Sequence, residues 1–283
     1  MKKWLNHQSV RPLRRFLRAI NTDTVWAEEW LRLTYASPAT DEALGGTATA
    51  SAKFQVFQDF YGYWTAQAAS DGAGDGAGDS NGDGDALPFT DERLRTFVPN
   101  LPPKEEQALL LCDFIGFSLE QTASLLNVSS EEAGRLLEAG RALTRGLPPL
   151  GVLILEDHGL IAQDLSDIIS ESGLSVIGVA ANEAEAIAIS RKNWPEIIVS
   201  DQMLENGDTG LQAIEKLRND GEFATIYVTA YPDEVLTGLD DEPALIVTKP
   251  FKPEAVRAAL GYSVAARGRL GAVIDAESER DAG

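Results

Sequence analysis

Short apolar runs alternate with helix-period patterns through residues 151–266 of this 283-residue chain. Four of the runs are Leu153-Ile154-Leu155, Ile197-Ile198-Val199-Ser200, Ile226-Tyr227-Val228 and Leu245-Ile246-Val247. Continuous runs of this length predict strands covered on both faces, as in a parallel sheet. Strands are expected near 152–155, 174–179, 196–200, 224–229 and 243–247. Helices are expected near 158–171, 182–193, 209–219, 232–238 and 252–265. Five βα units predict an α/β domain with a five-stranded parallel sheet and helices on both faces.

The N-terminal half keeps the helical period instead and predicts an all-α part. Val10, Leu13, Leu17 and Ile20 share one spacing, and Trp26, Trp30 and Leu33 another. A third helix places Phe54, Phe57, Tyr61 and Trp64 on one face, with Val56, Phe60 and Tyr63 beside them. A face that wide needs several partners, so residues 1–69 are expected to form a small helical bundle. In residues 89–147, Pro102-Pro103 opens a helix from Lys104 to Asp113, and Gly116 marks a turn. Ser118 with Gln121 and Ser129 with Glu132 have capping-box spacing. Between them lie a short helix, Glu120 to Leu126, and a tight turn at Asn127-Val128. The last helix buries Ala133, Leu136, Leu137 and Gly140, completing a helix-turn-helix outline.

Residues 70–88 separate these two helical parts. Their core, SDGAGDGAGDSNGDGD, cannot bury apolar surface and is expected to be a flexible acidic linker. Asp79 to Asp85 matches the first half of a calcium loop. Thr90 stands where the bidentate glutamate belongs, and Pro88 interrupts an exiting helix, so the linker reading is preferred. Residues 267–283 are expected to be a flexible tail.

Charge narrows the partners. The chain carries 24 Lys+Arg against 44 Asp+Glu, a net of −20. Most of the excess lies in residues 150–262, with 7 bases and 20 acids. That balance argues against nucleic acid or anionic lipid as the main partner. One cysteine, Cys112, excludes an internal disulfide and fits a reducing compartment. No stretch is long enough to span a membrane. The opening MKKWLNHQSVRPLRR has no apolar stretch and is not expected to be a signal peptide. A cytoplasmic protein is expected.

The chemistry sits at the strand ends. Glu156-Asp157 ends the first apolar run, Asp201 the second and Thr229 the third, while Lys249-Pro250 follows the fourth. Open α/β sheets place their sites beyond the carboxyl ends of strands. Singly, each of these residues is an ordinary loop residue. Jointly, three acids, a hydroxyl and a lysine converging on one crevice can hold a divalent cation and move a phosphoryl group. Asp201 is the candidate phosphoacceptor, since carboxylates form aspartyl phosphates. Glu156, Asp157 and Asp201 are the candidate Mg²⁺ ligands. Thr229 can donate to a phosphoryl oxygen, and Lys249 can pair with its charge. His158 is expected at a helix start, because this class of metal takes oxygen donors.

Residues 151–262 resemble a two-component receiver domain. LILEDHGLIA is similar to that family's acidic-pair turn, IIVSDQML to its phosphoacceptor turn, and YVTAY and VTKPF to its threonine and lysine loops. The resemblance implies a flavodoxin-like fold, Mg²⁺ with the Met203 backbone carbonyl as a further ligand, and phosphate received from a sensor histidine kinase or phosphotransferase. His158 departs from it, since relatives often carry another acid there. LPPKEEQALLLCDFIGFSLEQTASLLNVSSEEAGRLLEAGRAL resembles region 4 of extracytoplasmic-function sigma factors. RRFLRAI, VWAEEWLRLTY and FQVFQDFYGYW resemble their region 2. Such factors bind promoter DNA, yet residues 129–145 balance Glu131, Glu132 and Glu138 against Arg135, Arg141 and Arg145. A sigma-like module ahead of a receiver is similar to the PhyR-type general stress response regulators. That resemblance implies an anti-anti-sigma factor. Its receiver would release the sigma-like module on phosphorylation, to sequester a NepR-type anti-sigma factor and free the stress sigma factor. No enzymatic activity is expected beyond the receiver's own phosphoryl transfer and dephosphorylation. The rival readings are a phosphate-gated, DNA-binding sigma factor and a phosphate sink joined to a dimerisation module.

Overall fold

The computed structural model describes residues 10–20, 31, 50–71, 102–143, 150–231 and 245–265. The linker from residue 72 on with its calcium-like stretch, Trp26, Trp30, Leu33, the expected helix at 232–238 and the tail lie outside the described residues, whereas Ser70 and Asp71, expected in the linker, end a helix instead.

In the N-terminal part, α1 spans Arg11–Ile20 and α2 spans Ala50–Asp71. Val10, Leu13 and Leu17 are fully buried, as their spacing predicts. On α2, Phe57, Phe60 and Tyr61 are core and Phe54 is half-buried. Phe57 and Phe60 are buried, and Phe16 of α1 meets their rings edge-on at 5.5 and 6.2 Å between centroids.

The next helix, α3, covers Lys104–Leu109 and passes into a π-type turn, Leu110–Phe114. This corrects the expectation of one regular helix to Asp113. The wider turn buries Phe114, and Gly116 reverses the chain at φ 85°. α4 (Leu119–Leu126) starts on a complete capping box from Ser118 and Gln121. Asn127 ends it in the left-handed conformation, as the predicted tight turn requires. α5 (Ser130–Arg141) is capped by the Ser129 hydroxyl. The carboxylate of Glu132 lies 2.5 Å from Arg135. Gly140 lets α5 lie against α3. A Cβ there would overlap the Glu105 carbonyl oxygen and stand 2.9 Å from Leu109 Cβ. Gly140→Ala gains about 1 kcal/mol of helix propensity. Overpacking costs about 1–3 kcal/mol. Net destabilisation is therefore expected, read as a lower denaturation midpoint.

The C-terminal part is one five-stranded sheet of order β2-β1-β3-β4-β5, with every pairing parallel. Its strands are β1 (Gly151–Leu155), β2 (Ser175–Ala180), β3 (Ile197–Ser200), β4 (Ala224–Thr229) and β5 (Leu245–Thr248). The pleat sends alternate residues to opposite faces. Val152, Ile154, Val199 and Val228 pack with Leu165 and Ile169 of α6 (Gly159–Glu171) and with Val256 and Leu260 of the helix at 253–265. Leu153, Leu155, Ile198 and Tyr227 pack with Ala186 of α7 (Glu183–Ser190) and Ile214 of α8 (Gly210–Arg218). The first of these cores continues without a break into Val10, Leu13, Phe57 and Phe114 of the helical part. Residues 258–264 are accordingly buried all round, unlike an ordinary surface helix. Among the described residues no helix is long and apolar enough to cross a membrane.

Candidate functional site

Each strand delivers its reactive residue to the same edge of the sheet. β1 ends at Leu155 and leads into Glu156 and Asp157. The Asp201 amide donates to the Leu155 carbonyl at 2.7 Å, which brings the β3 end alongside the acidic pair. Side-chain oxygens of Glu156, Asp157 and Asp201 all lie within 4.8 Å of one another. Glu156 is buried, Asp201 half-buried and Asp157 exposed. This donor set is all oxygen and faces water on one side, so it fits Mg²⁺, which keeps several waters. His158 occupies the N-cap position of α6 and makes no side-chain cap bond.

Lys249 completes the cluster. Its Nζ donates to Glu156 Oε2 at 2.6 Å and to Asp201 Oδ2 at 2.7 Å. The lysine thus bridges the two carboxylates that would otherwise repel. Burial pulls the Lys249 amine down, but its bonds to Asp201 and Glu156 outweigh this and hold it above its ordinary value. Burial pushes the Glu156 carboxyl up, and the pairing with Lys249 only partly opposes the shift.

Thr229 is wholly buried at the end of β4. Its hydroxyl donates to Gln202 Oε1 at 3.3 Å and accepts from the Tyr231 amide at 3.0 Å. The Lys249 amide donates to the Thr229 carbonyl at 2.8 Å, coupling the two loops directly. Met203 lies two residues beyond Asp201 and pairs with Thr209 in an isolated bridge. The structure therefore brings Glu156, Asp157, Asp201, Thr229 and Lys249 to one crevice.

Two contributors were not singled out from the sequence. Gln202 holds the Thr229 hydroxyl, and the only cue was its place beside Asp201. Gly210 opens α8, capped by Thr209. A Cβ on it would overlap both the Asp201 carbonyl oxygen and Ser200 Oγ. The cue was a glycine one residue after a capping threonine. Gly210→Ala must displace the backbone at Ser200 and Asp201, so it is expected to lower stability by about 1–3 kcal/mol. Acetyl phosphate labelling should slow in the same variant, measured on chain that remains folded.

Comparison with known proteins agrees with this arrangement. Residues 152–261 match the response regulator receiver domain family, and residues 91–143 match sigma-70 region 4. The chain is 32% identical over 261 residues to the phyllosphere-induced regulator PhyR of Methylorubrum extorquens, covering 91% of this chain and 92% of that one. A solved PhyR stress response regulator is 27% identical, with a TM-score of 0.71 over 93% of this chain and 97% of that one. The anti-anti-sigma factor PhyR from Bartonella quintana, 22% identical, shares the fold with a TM-score of 0.71 over 95% of this chain and 96% of that one. With a sigma-like part ahead of a receiver and identity of this extent along nearly its whole length, the chain belongs to the PhyR family of response regulators.

Proposed function

We propose that this protein is a phosphorylation-driven partner switch, an anti-anti-sigma factor that captures a NepR-type anti-sigma protein. Asp201 is the phosphoacceptor. A carboxylate oxygen of Asp201 bonds to the phosphorus of a phosphohistidine donor while the P–N bond breaks and the donor nitrogen keeps the electron pair. Glu156, Asp157, Asp201 and the Met203 carbonyl would hold Mg²⁺, which would supply charge neutralisation for the transferring group. Lys249 turns from the Asp201 carboxylate toward the new phosphoryl oxygens. The Thr229 hydroxyl exchanges its long bond to Gln202 for one to the same group.

One observation carries the reading. β5 delivers Lys249 to the acidic cluster, and Ile246 on β5 accepts a hydrogen bond from Arg15 of α1. A charge change at Asp201 is therefore one short strand away from the sigma-like helices. It biases a two-state interface between closed and open arrangements. The test is titration of the full chain with a purified NepR-type anti-sigma protein, with and without acetyl phosphate and Mg²⁺. Phosphodonor is expected to tighten binding by about 5- to 150-fold, the usual span of such coupling. Unchanged affinity refutes the switch.

Local charge pairing supports a protein partner over DNA. Recognition helices need free cations for phosphates and base edges. Here Arg141 makes two hydrogen bonds to Asp113, at 2.7 and 2.9 Å, and a third to Glu138 at 2.9 Å. Arg135 is paired with Glu132. The helix that would enter the major groove has these arginines neutralised by its own module. Gel shifts with promoter DNA and core polymerase are expected to show no salt-sensitive complex.

A further inference from the structure

Arg15 stands where three parts of the molecule meet. It belongs to α1, its guanidinium lies 4.8 Å from the centre of the Phe114 ring, and its Nη2 donates to the Ile246 carbonyl of β5. The residue keeps some surface in solvent, but its Nε is sealed off and has no hydrogen-bond partner. Among the described residues, the charge acting on it is of like sign. Lys53 of α2 donates to the Ile115 carbonyl at 2.9 Å and lies 4.5 Å from the Phe117 ring centre, and Arg15 and Lys53 repel. Burial pulls the Arg15 guanidinium down to about 10.

We propose that Arg15 is a charge built into the closed interface to weaken it, so that a modest push from the phosphorylation site suffices to release the receiver. The proposal rests on the partner-switch reading and names its regulatory element. Undocking β5 would leave Arg15 its contact with Phe114, which belongs to the sigma-like part, and return water to the guanidinium. Docking offers one backbone carbonyl in place of that water and leaves Nε bare. The exchange is unfavourable for a cation and harmless for a neutral side chain. Among the described residues, removing the charge orphans no buried carboxylate, and the Ile246 carbonyl is the group that loses a donor. Arg15→Gln keeps a donor for that carbonyl, and Arg15→Met keeps only the apolar stem.

The test compares full-length wild type, Arg15→Gln and Arg15→Met. Hydrogen exchange of the β5 amides and basal affinity for a purified NepR-type protein are read without phosphodonor. More phosphodonor for half-maximal binding, at least about fivefold weaker basal binding and slower β5 exchange are expected in both variants. Stronger basal binding or faster exchange in both variants would make Arg15 a latch and overturn the proposal, as would no change in either. Two variants keep the test decisive if one fails to fold. Wild type separates the two claims. If its affinity ignores phosphodonor, the partner switch fails, while the exchange comparison still decides the role of Arg15.

Discussion

Asp201→Ala is expected to abolish phosphoryl incorporation from acetyl phosphate and, with it, the whole phosphodonor-dependent gain in partner affinity. Among the described residues nothing else in the crevice replaces its geometry. Glu156 is buried and committed to Lys249 at 2.6 Å, and Asp157 is exposed beyond β1. The loss should not come from unfolding. Asp201 repels Glu156, so its removal relieves one unfavourable contact while Lys249 keeps its second carboxylate partner. Wild-type-like circular dichroism with background labelling is the expected pair of results. Asp220→Ala, at an exposed carboxylate just after α8, should label normally. Residual stimulated binding in Asp201→Ala would move the switch away from this residue.

The site was legible because its residues are tied to strand ends, and strand ends are local. Apolar runs stop where the sheet stops, so Glu156, Asp157, Asp201, Thr229 and Lys249 could be placed without coordinates. β2 was less clear, and the structure begins and ends it one residue later than expected, at Ser175–Ala180. It is an edge strand, partly exposed, and its pairing with β1 shifts register between Val152 and Leu153. The π-type turn at Leu110–Phe114 had no local signal, since it answers to where Phe114 and Phe117 pack. Capping boxes were legible as spacing, yet Glu132 engages Arg135, a competition that spacing does not show. Least legible was the Arg15–Ile246 contact, which joins residues 231 positions apart. The two-faced burial of residues 258–264 belongs to the same junction. Tertiary contacts between modules leave no periodic trace in either one.

Lys249→Met should expose how much of the receiver's stability the central lysine supplies. Its side chain is 13% exposed, and that of Glu156 only 1%. Removing the ammonium leaves a buried carboxylate beside Asp201 with one long hydrogen bond, from the His158 amide at 3.3 Å. Breaking a buried pair costs about 3–5 kcal/mol, and the open, wet side of the cluster reduces this to about 2–3 kcal/mol. The deficit depends on pH with a definite sign. Glu156 already has a folded-state pKa above its ordinary value, and losing Lys249 removes the contacts that restrain it. A group raised on folding favours the fold below its unfolded pKa, and that contribution is lost as pH rises through the folded value. The variant's deficit is therefore largest at neutral and alkaline pH and shrinks as pH falls toward about 4–5, where carboxyls take up protons. Mg²⁺ is expected to act in the same direction as the missing ammonium, since it would bind the folded cluster and not the unfolded chain. Millimolar Mg²⁺ should recover part of the lost stability at pH 7 and little at low pH. Denaturant unfolding across pH, with and without Mg²⁺, measures all three effects. A deficit that grows on acidification would mean that Glu156 is not the carboxylate Lys249 compensates.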